Sequence, residues 1–366
     1  MKERFSTIRG LAWSTIRASP EFQIQPGSKA PIHRLRGVKL LFQRLGAFAF
    51  RFQTPATMIG VWLLFGAAFP AVRLAVHGPH AEPPLLFSGA RFLAAGTILL
   101  TWSAWRAHWR LSLRRSDVAA AAVVGLGLVA CGQGTAGWGA QYVPAGIVAV
   151  LVTTVPVWVV VFSSFVMRDR PPLTVVAGVL IGFAGVAFLA SPSGGANVPF
   201  LPAVLILGGS IAQAGAVLYG SRTAISRRPL IATSIQLLAG GACQLLVGLS
   251  MGEPGRVNVA ALMGSAGLAW LYLVLGVSVI GYPLFTRLIA TTPPPVANTQ
   301  SYVAPVVALF LGWLLLNEPV GLRTLVAAAV TLVSVAAIVT ASGRRAARRA
   351  QAAQARTGLS QDSLRR

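Results

Sequence analysis

The sequence predicts an all-α polytopic membrane protein with ten transmembrane helices, arranged as two inverted five-helix repeats. Of its 366 residues, 55% are hydrophobic and 11% are charged, and the mean hydropathy is +0.70. A soluble domain normally carries about 25% charged residues, so this chain lacks the polar surface that a soluble fold needs. Its apolar residues also form long runs, each close to the roughly 20 residues that a helix needs to cross a bilayer.

Ten such runs follow one another along the chain. Short polar connections separate most of them, and prolines mark the two less distinct boundaries, at Pro144 and at residues 291–295, because proline favours a turn. The predicted spans cover about residues 58–76, 84–105, 118–143, 145–167, 172–191, 200–223, 230–251, 264–289, 294–316 and 323–342.

Basic residues predict the orientation. The chain has 31 Lys and Arg against 8 Asp and Glu, a formal net charge of +23, and cytoplasmic connections of membrane proteins are enriched in Lys and Arg. If the N-terminus is cytoplasmic, ten connecting arginines fall on the cytoplasmic side, against Arg256, Arg323 and the helix-end Arg73 outside. We therefore expect a multi-pass protein of the bacterial inner membrane with both termini in the cytoplasm.

The two ends of the chain are predicted to be basic, mostly disordered cytoplasmic tails, at residues 1–57 and 343–366. Such tails approach anionic lipid. Met58 opens the first span, so an overlong gene start is a second interpretation of the N-terminal tail. Apart from Arg91 and a few arginines near span ends, the basic residues lie between and outside the apolar runs, which argues against nucleic-acid binding.

The two halves of the chain, residues 58–191 and 199–342, resemble each other. An offset of 149 residues superposes glycine, arginine, proline and acidic positions in the same order. The pairs include Gly66 and Gly215, Arg73 and Arg222, Pro156 and Pro305, and Asp169 and Glu318. Because each half holds five spans, an odd number, the second half enters the membrane from the opposite side. Inverted repeats of this kind are common in alternating-access transporters.

Four segments carry a family resemblance. They are WLLFGAAFPAVRLAV from Trp62, GARFLAAG from Gly89, VPVW from Val155 followed by Asp169, and APVVALFLGWLLLNEP from Ala304. In these segments the chain resembles the EamA-type branch of the drug/metabolite transporter superfamily, over about residues 58–342. The resemblance implies a ten-helix carrier with a central cavity, in a family that exports amino acids, other metabolites or toxic compounds. Residues 168–170, Arg-Asp-Arg, depart from the Gly-Glu pair more usual there.

The spans hold no set of residues suited to catalysis or metal binding. All eight acids and all four histidines fall in the tails or at helix ends, which leaves no paired carboxylates and no Ser/His/Asp arrangement inside the membrane. Cys131 and Cys243 lack the spacing of a zinc site or a disulfide framework. We expect no enzyme activity, no cofactor and no metal.

Uncharged polar and aromatic residues within the spans are the candidates for substrate binding. They are Gln133, Trp138, Tyr282, Asn298, Ser301 and Tyr302. Tyr282 occupies the position that the duplication equates with Gln133, and the three residues of the ninth span share one helix face. Polar groups in hydrocarbon need partners or a water-filled cavity, so these residues are predicted to face a central cavity. Hydrogen bonding between helices is the alternative.

Arg91 is the candidate for binding an anionic substrate group. It lies about six residues, or ~9 Å, inside the second span. Arginine at a helix centre costs about 2.5–3.5 kcal/mol, and a substrate carboxylate or phosphate would compensate for that cost. Snorkelling to headgroups or capping a carbonyl is the alternative. Arg73 lies closer to its helix end, where snorkelling is the expected role.

Four prolines at membrane depth are predicted to bend helices and to act in gating. They are Pro70, Pro156, Pro283 and Pro305. Each removes a backbone hydrogen bond, and a freed carbonyl can become a ligand group in the discontinuous helices of a carrier. Static packing kinks are the alternative.

Together these features predict a secondary transporter that exports a small organic solute by alternating access. Its partners would be that solute and membrane lipids, and a homodimer is left open. Two other classes stay open: a membrane scaffold or sensor that acts through its basic tails, and a membrane enzyme with a cytoplasmic site. Deleting residues 1–50 discriminates the scaffold, because a carrier would still transport without them.

Overall fold

The computed structural model describes residues 56–78, 81–106, 113–166, 173–190, 199–223, 228–291 and 300–337, together with 340, 341 and 344. Within these ranges the regular secondary structure is helical and contains no strand. The all-α prediction is therefore confirmed for the described part of the chain. The two predicted tails lie almost entirely outside it.

The described residues form ten helical segments at the predicted positions, besides two short helices at Glu253–Arg256 and Val259–Leu262. Seven of these, α1–α4 and α6–α8, are long and apolar enough to cross a membrane. Ten complete membrane crossings stay a prediction. The segments are α1 (Ala56–Val76), α2 (Pro84–Arg106), α3 (Arg115–Gly139), α4 (Ala145–Val166), α5 (Leu173–Ala190), α6 (Phe200–Gly220), α7 (Pro229–Ser250), α8 (Ser265–Phe285), α9 (Gln300–Leu316) and α10 (Leu322–Ala337).

α3 and α8 each contain a stretch of π-helix, at Leu126–Gln133 and Tyr272–Gly281. The offset of 149 residues brings the two stretches into overlap. The side-chain amide of Gln244 in α7 donates to the carbonyl oxygen of Val129 at 2.6 Å, which fixes the first stretch against α7. π-Helical turns are uncommon and occur frequently at functional sites.

Helices of the two sequence halves interleave in the bundle. α2 packs along α7, and α3 packs against α6 and α7. A Cβ atom on Gly89 of α2 would lie 2.9 Å from the carbonyl oxygen of Gly241 in α7, so these helices approach closely because both positions lack a side chain. α5 and α10 contact each other, where the hydroxyl of Ser334 donates to the carbonyl oxygen of Gly178 at 2.7 Å.

Two acidic residues from the second half bind helix N-termini in the first half. The carboxylate of Glu253 accepts a hydrogen bond from the backbone N–H of Leu86 at 2.8 Å, in the first turn of α2. The carboxylate of Glu318 accepts from the N–H of Ala145, the first residue of α4, at 2.9 and 3.0 Å. Because negative charge is favoured at a helix N-terminus, both contacts stabilise the association of the halves.

Glu82 is a buried carboxyl group just before α2. Glu82 is 2% exposed, and its Oε1 has no hydrogen-bond partner among the described residues. Its Oε2 accepts from the N–H of Asn258 at 3.4 Å. Burial raises the pKa of Glu82 above its usual value of 4.5. The folded chain therefore holds this proton more tightly than the unfolded chain does.

We expect Glu82→Gln to raise the melting temperature at neutral pH. A carboxyl group whose pKa is raised by folding stabilises the fold below its unfolded pKa, and that contribution is lost as the pH rises through the folded pKa. The melting temperature in detergent, measured from about pH 5 to pH 8, should fall less steeply with rising pH in the variant than in the wild type. A variant that melts lower at every pH would show instead that the ionised carboxylate stabilises the fold.

Candidate functional site

A cavity of about 430 Å³ lies in the middle of the bundle, between helices of both sequence halves. Residues of α1–α4 and α6–α9 line it, and no described residue of α5 or α10 does. The volume falls within the range of small-molecule sites, about 300–1,000 Å³. Much of the wall is apolar and includes the rings of Phe65, Phe69, Phe92 and Phe285.

Polar side chains converge on this cavity from seven helices. They are Ser88, Arg91, Gln133, Thr153, Gln213, Thr233, Gln236, Tyr282 and Gln300. Arg91 is the one charged side chain among the described wall residues. The Nε of Arg91 and the Oε1 atoms of Gln213 and Gln300 are buried and have no hydrogen-bond partner within the described ranges. Since buried polar groups normally have partners, these three atoms leave one donor and two acceptors unsatisfied beside the cavity.

Three of the predicted binding residues, Arg91, Gln133 and Tyr282, lie on the cavity wall. Gln133 ends the π-helical stretch of α3, and Tyr282 directly follows that of α8. The same local geometry therefore precedes both side chains. Arg91 is 4% exposed, and its Cζ lies 4.4 Å from the centroid of the Phe92 ring.

The other predicted binding residues do not add to the described wall. Trp138 lies outside it, and its ring packs on Tyr142 with the centroids 5.0 Å apart. Asn298 falls outside the described residues. For Ser301 and Tyr302 the structure describes the helical backbone of α9 alone.

Six polar wall residues were not among the predicted binding residues: Ser88, Thr153, Gln213, Thr233, Gln236 and Gln300. Of these, Gln213 and Gln300 have Oε1 atoms without a partner among the described residues. Each is an uncharged polar residue in a mostly apolar helix, and such a residue needs a partner or water at membrane depth. That signal was available for Gln213 in α6. Gln236, also on the wall, is the residue that the duplication pairs with Arg91 at an offset of 145.

Two of the four predicted gating prolines, Pro156 and Pro305, line the cavity. α4 is interrupted at the turn Thr153–Thr154, directly before Pro156, and resumes at Val155. The hydroxyl of Thr153 donates to the carbonyl oxygen of Ala149 at 2.7 Å. α9, in contrast, continues through Pro305 without a break.

The other two prolines, Pro70 and Pro283, are not on the cavity wall. Pro70 is buried in α1, where the regular helix is broken by a turn at Ala67, three residues earlier. Pro283 follows the π-helical stretch of α8. Both prolines therefore lie beside irregular backbone, where the missing N–H donor of proline is accommodated.

A buried ion pair lies directly beyond one end of the cavity. The Nε of Arg73 lies 2.7 Å from the Oε1 of Glu318, and each residue is 8% exposed. The Nη1 of Arg73 also donates to the carbonyl oxygens of Ala140, itself a wall residue, and of Val143. We call this end of the bundle, at which α1 and α3 finish and α2 and α4 begin, the Arg73 end.

The expectation that Arg73 snorkels to the headgroups is therefore wrong. The reason is the fold: Glu318 follows α9 in the second half of the sequence, and the tertiary packing brings it to the end of α1. No local spacing relates the two residues. Their contact joins α1, the end of α3, the start of α4 and the segment between α9 and α10.

Known proteins resemble this chain in sequence and in fold. The profile of the EamA-like transporter family matches residues 55–191 and again residues 200–340. YedA of Escherichia coli K12, named as an uncharacterized inner membrane transporter, is 36% identical over 260 residues, which cover 70% of this chain and 80% of YedA. YvbV of Bacillus subtilis, named as an uncharacterized transporter, is 25% identical over 299 residues, 79% and 94% of the two chains. One crystal structure matches with a TM-score of 0.51 at 22% identity, over 80% of this chain and 98% of the other.

Proposed function

Since this chain belongs to the EamA-like transporter family, it is a membrane transporter, and we propose that it carries a small organic solute by alternating access. The proposed location is the bacterial inner membrane, on the strength of the name of YedA. The two halves then act as inverted five-helix repeats with both termini in the cytoplasm, which the arginine distribution supports. The cavity between the halves is the proposed binding site.

The observation that carries the proposal is the position of the cavity next to the Arg73–Glu318 ion pair. A carrier needs a site near the bilayer centre and a barrier that closes on one side at a time. The cavity has the volume of such a site, and the ion pair provides a barrier at the Arg73 end. In the proposed topology this end is external, and the proposed direction is export of the solute from the cytoplasm.

The proposed binding residues are those whose polar atoms meet in the cavity. Arg91, Gln133 and Tyr282 line it, and Gln213 and Gln300 are added to them. Asn298, Ser301 and Tyr302 remain proposed contributions from the region of α9. Trp138 is proposed to support α3 through its contact with Tyr142 rather than to touch the solute.

Filling the cavity should stop transport without unfolding the protein. Thr233 lines the cavity from α7, so Thr233→Trp places a large ring in the space that the solute would occupy. Leu246 lies on the same helix and is 65% exposed on the outside of the bundle, so Leu246→Trp is the matched control. We expect uptake into liposomes to fall at least tenfold for Thr233→Trp and to stay near wild type for Leu246→Trp.

The assay uses purified protein and a panel of amino acids, nucleosides, organic acids and cationic drugs, with and without a pH gradient. Melting temperatures of both variants establish that each is folded. If Thr233→Trp transports a solute of the panel as well as the control does, the central cavity is not the pathway.

A further inference from the structure

Arg91 is a cation on the cavity wall that has no ion-pair partner among the described residues. It is 4% exposed, it lines the cavity, and its Nε has no hydrogen-bond partner among the described residues. The described contact that compensates its charge is with the face of the Phe92 ring, whose centroid lies 4.4 Å from Cζ. A cation–π contact contributes about 0.5–2 kcal/mol, less than the several kcal/mol that a buried charge costs. The described structure therefore leaves most of this charge uncompensated.

Nothing else on the described wall balances the charge of Arg91. The other polar wall residues are hydroxyl and amide side chains, without a carboxylate or a second cation. One bound anionic group of charge −1 would therefore neutralise the site. A carboxylate fits the guanidinium best, since the two planar groups form paired, charge-assisted hydrogen bonds.

Two hydrogen-bond acceptors on residues of the same cavity lack donors among the described residues. The Oε1 atoms of Gln213 in α6 and Gln300 in α9 are buried and lack partners within the described chain, and both residues line the cavity. An N–H or O–H group on the solute would supply these hydrogen bonds. The unpartnered donor comes from the first sequence half and the two acceptors come from the second, so one solute bound to both would connect the halves.

We propose that the transported solute is an organic acid with one carboxylate, an apolar body and at least one N–H or O–H donor. This inference rests on the proposed function and assigns the solute class of the same cavity. The carboxylate binds Arg91, the donor binds Gln213 and Gln300, and the apolar body packs on rings such as Phe65 and Phe285. A purely cationic solute is rejected because its charge would lie beside an unpaired guanidinium.

Four compounds that share one aromatic skeleton test the assignment. They are para-hydroxyphenylacetate, its uncharged amide, tyramine as the cationic counterpart, and phenylacetate, which lacks the hydroxyl group. Binding to the purified wild type is measured by calorimetry, and uptake is measured in liposomes. We expect para-hydroxyphenylacetate to bind at least tenfold more tightly than the amide or tyramine, and phenylacetate to bind several-fold more weakly than para-hydroxyphenylacetate.

Variants separate the two contacts. Arg91→Gln should reduce binding of para-hydroxyphenylacetate at least tenfold and leave tyramine unchanged or improved, whereas Arg91→Lys should retain part of the acid binding. Gln213→Leu should reduce the difference between para-hydroxyphenylacetate and phenylacetate, because Gln300 remains as the second acceptor. Melting temperatures within a few degrees of wild type are required of each variant, so that loss of the fold is not read as loss of binding.

The outcomes distinguish this inference from the proposed function. If the wild type transports amines in preference to the acids, or if Arg91→Gln weakens both equally, the acid assignment is wrong while the carrier stands. If none of these compounds binds, but another solute of the broader panel is transported and proves to lack a carboxylate, the assignment is again wrong. If Thr233→Trp does not reduce transport, the proposal that the cavity is the transport pathway is wrong.

Discussion

Glu318→Gln should destabilise the protein strongly and open the cavity at the Arg73 end. The substitution leaves Arg73 8% exposed and without its counter-charge, and breaking a buried ion pair by removing one partner costs about 3–5 kcal/mol. Glutamine retains a carbonyl oxygen that can accept from the N–H of Ala145. The effect therefore reports on the charge of Glu318 rather than on the capping of α4.

Stability and access are measured separately. Thermal melting in detergent gives the destabilisation, with Arg256→Gln as the control, because Arg256 is an exposed arginine near the start of α2. Access is measured with a single cysteine at Ala149, which lines the cavity, after both native cysteines are replaced by serine. A membrane-impermeant maleimide added on the side of the Arg73 end should label Glu318→Gln several-fold faster than its parent.

Exchanging the two charges should not restore the protein. In Arg73→Glu with Glu318→Arg, the new carboxylate would face the carbonyl oxygens of Ala140 and Val143, and the new guanidinium would face the N–H of Ala145. Both arrangements oppose like partial charges, since carbonyls end α3 and N–H groups begin α4. Recovery by the exchange would show that the pair acts through mutual attraction alone. If Glu318→Gln loses stability but is not labelled faster, the ion pair does not act as a barrier at the Arg73 end.

The extent of the helices could be predicted because it depends on local composition. Apolar runs of about twenty residues predicted each segment, and the structure places a helix in each of them. The π-helical stretches of α3 and α8 were not predictable in this way. A change in backbone hydrogen-bond spacing depends on contacts such as that of Gln244 with Val129. Hydropathy does not predict such contacts.

Residues of the candidate site could be predicted where a single polar side chain has a high free energy in the membrane. Arg91, Gln133 and Tyr282 were selected as polar groups at membrane depth, and all three line the cavity. The Arg73–Glu318 pair could not be found by the same reasoning, because Glu318 lies at a helix end and its charge there needs no explanation. Only the packing of the two halves shows that the carboxylate is buried.

Adding one methyl group at Gly125 should also have a large effect. A Cβ atom there would overlap the carbonyl oxygen of Gln236 and lie 2.6 Å from its Cα. These are backbone atoms of α7, so no side chain can rotate away, and α3 and α7 would have to separate. Overpacking of this kind costs about 1–3 kcal/mol and sometimes more, and we expect Gly125→Ala to lie at the upper end.

Gly208→Ala is the matched control, because a Cβ atom at Gly208 of α6 meets nothing within 4 Å. Alanine is favoured over glycine inside a helix by up to about 1 kcal/mol, so the control should melt at or above the temperature of the wild type. Equal melting of the two variants would contradict the close crossing of α3 and α7.

The same crossing reaches the candidate site. Gln236 lines the cavity, so a displacement of its backbone by Gly125→Ala moves part of the wall, and transport should fall further than the loss of folded protein explains. A Cβ atom on Gly240 would lie 2.6 Å from the carbonyl oxygen of Gly125. Gly240→Ala should therefore act at the same contact, and the double variant should lose less stability than the two single losses combined, because helices that one methyl group has separated leave room for the other.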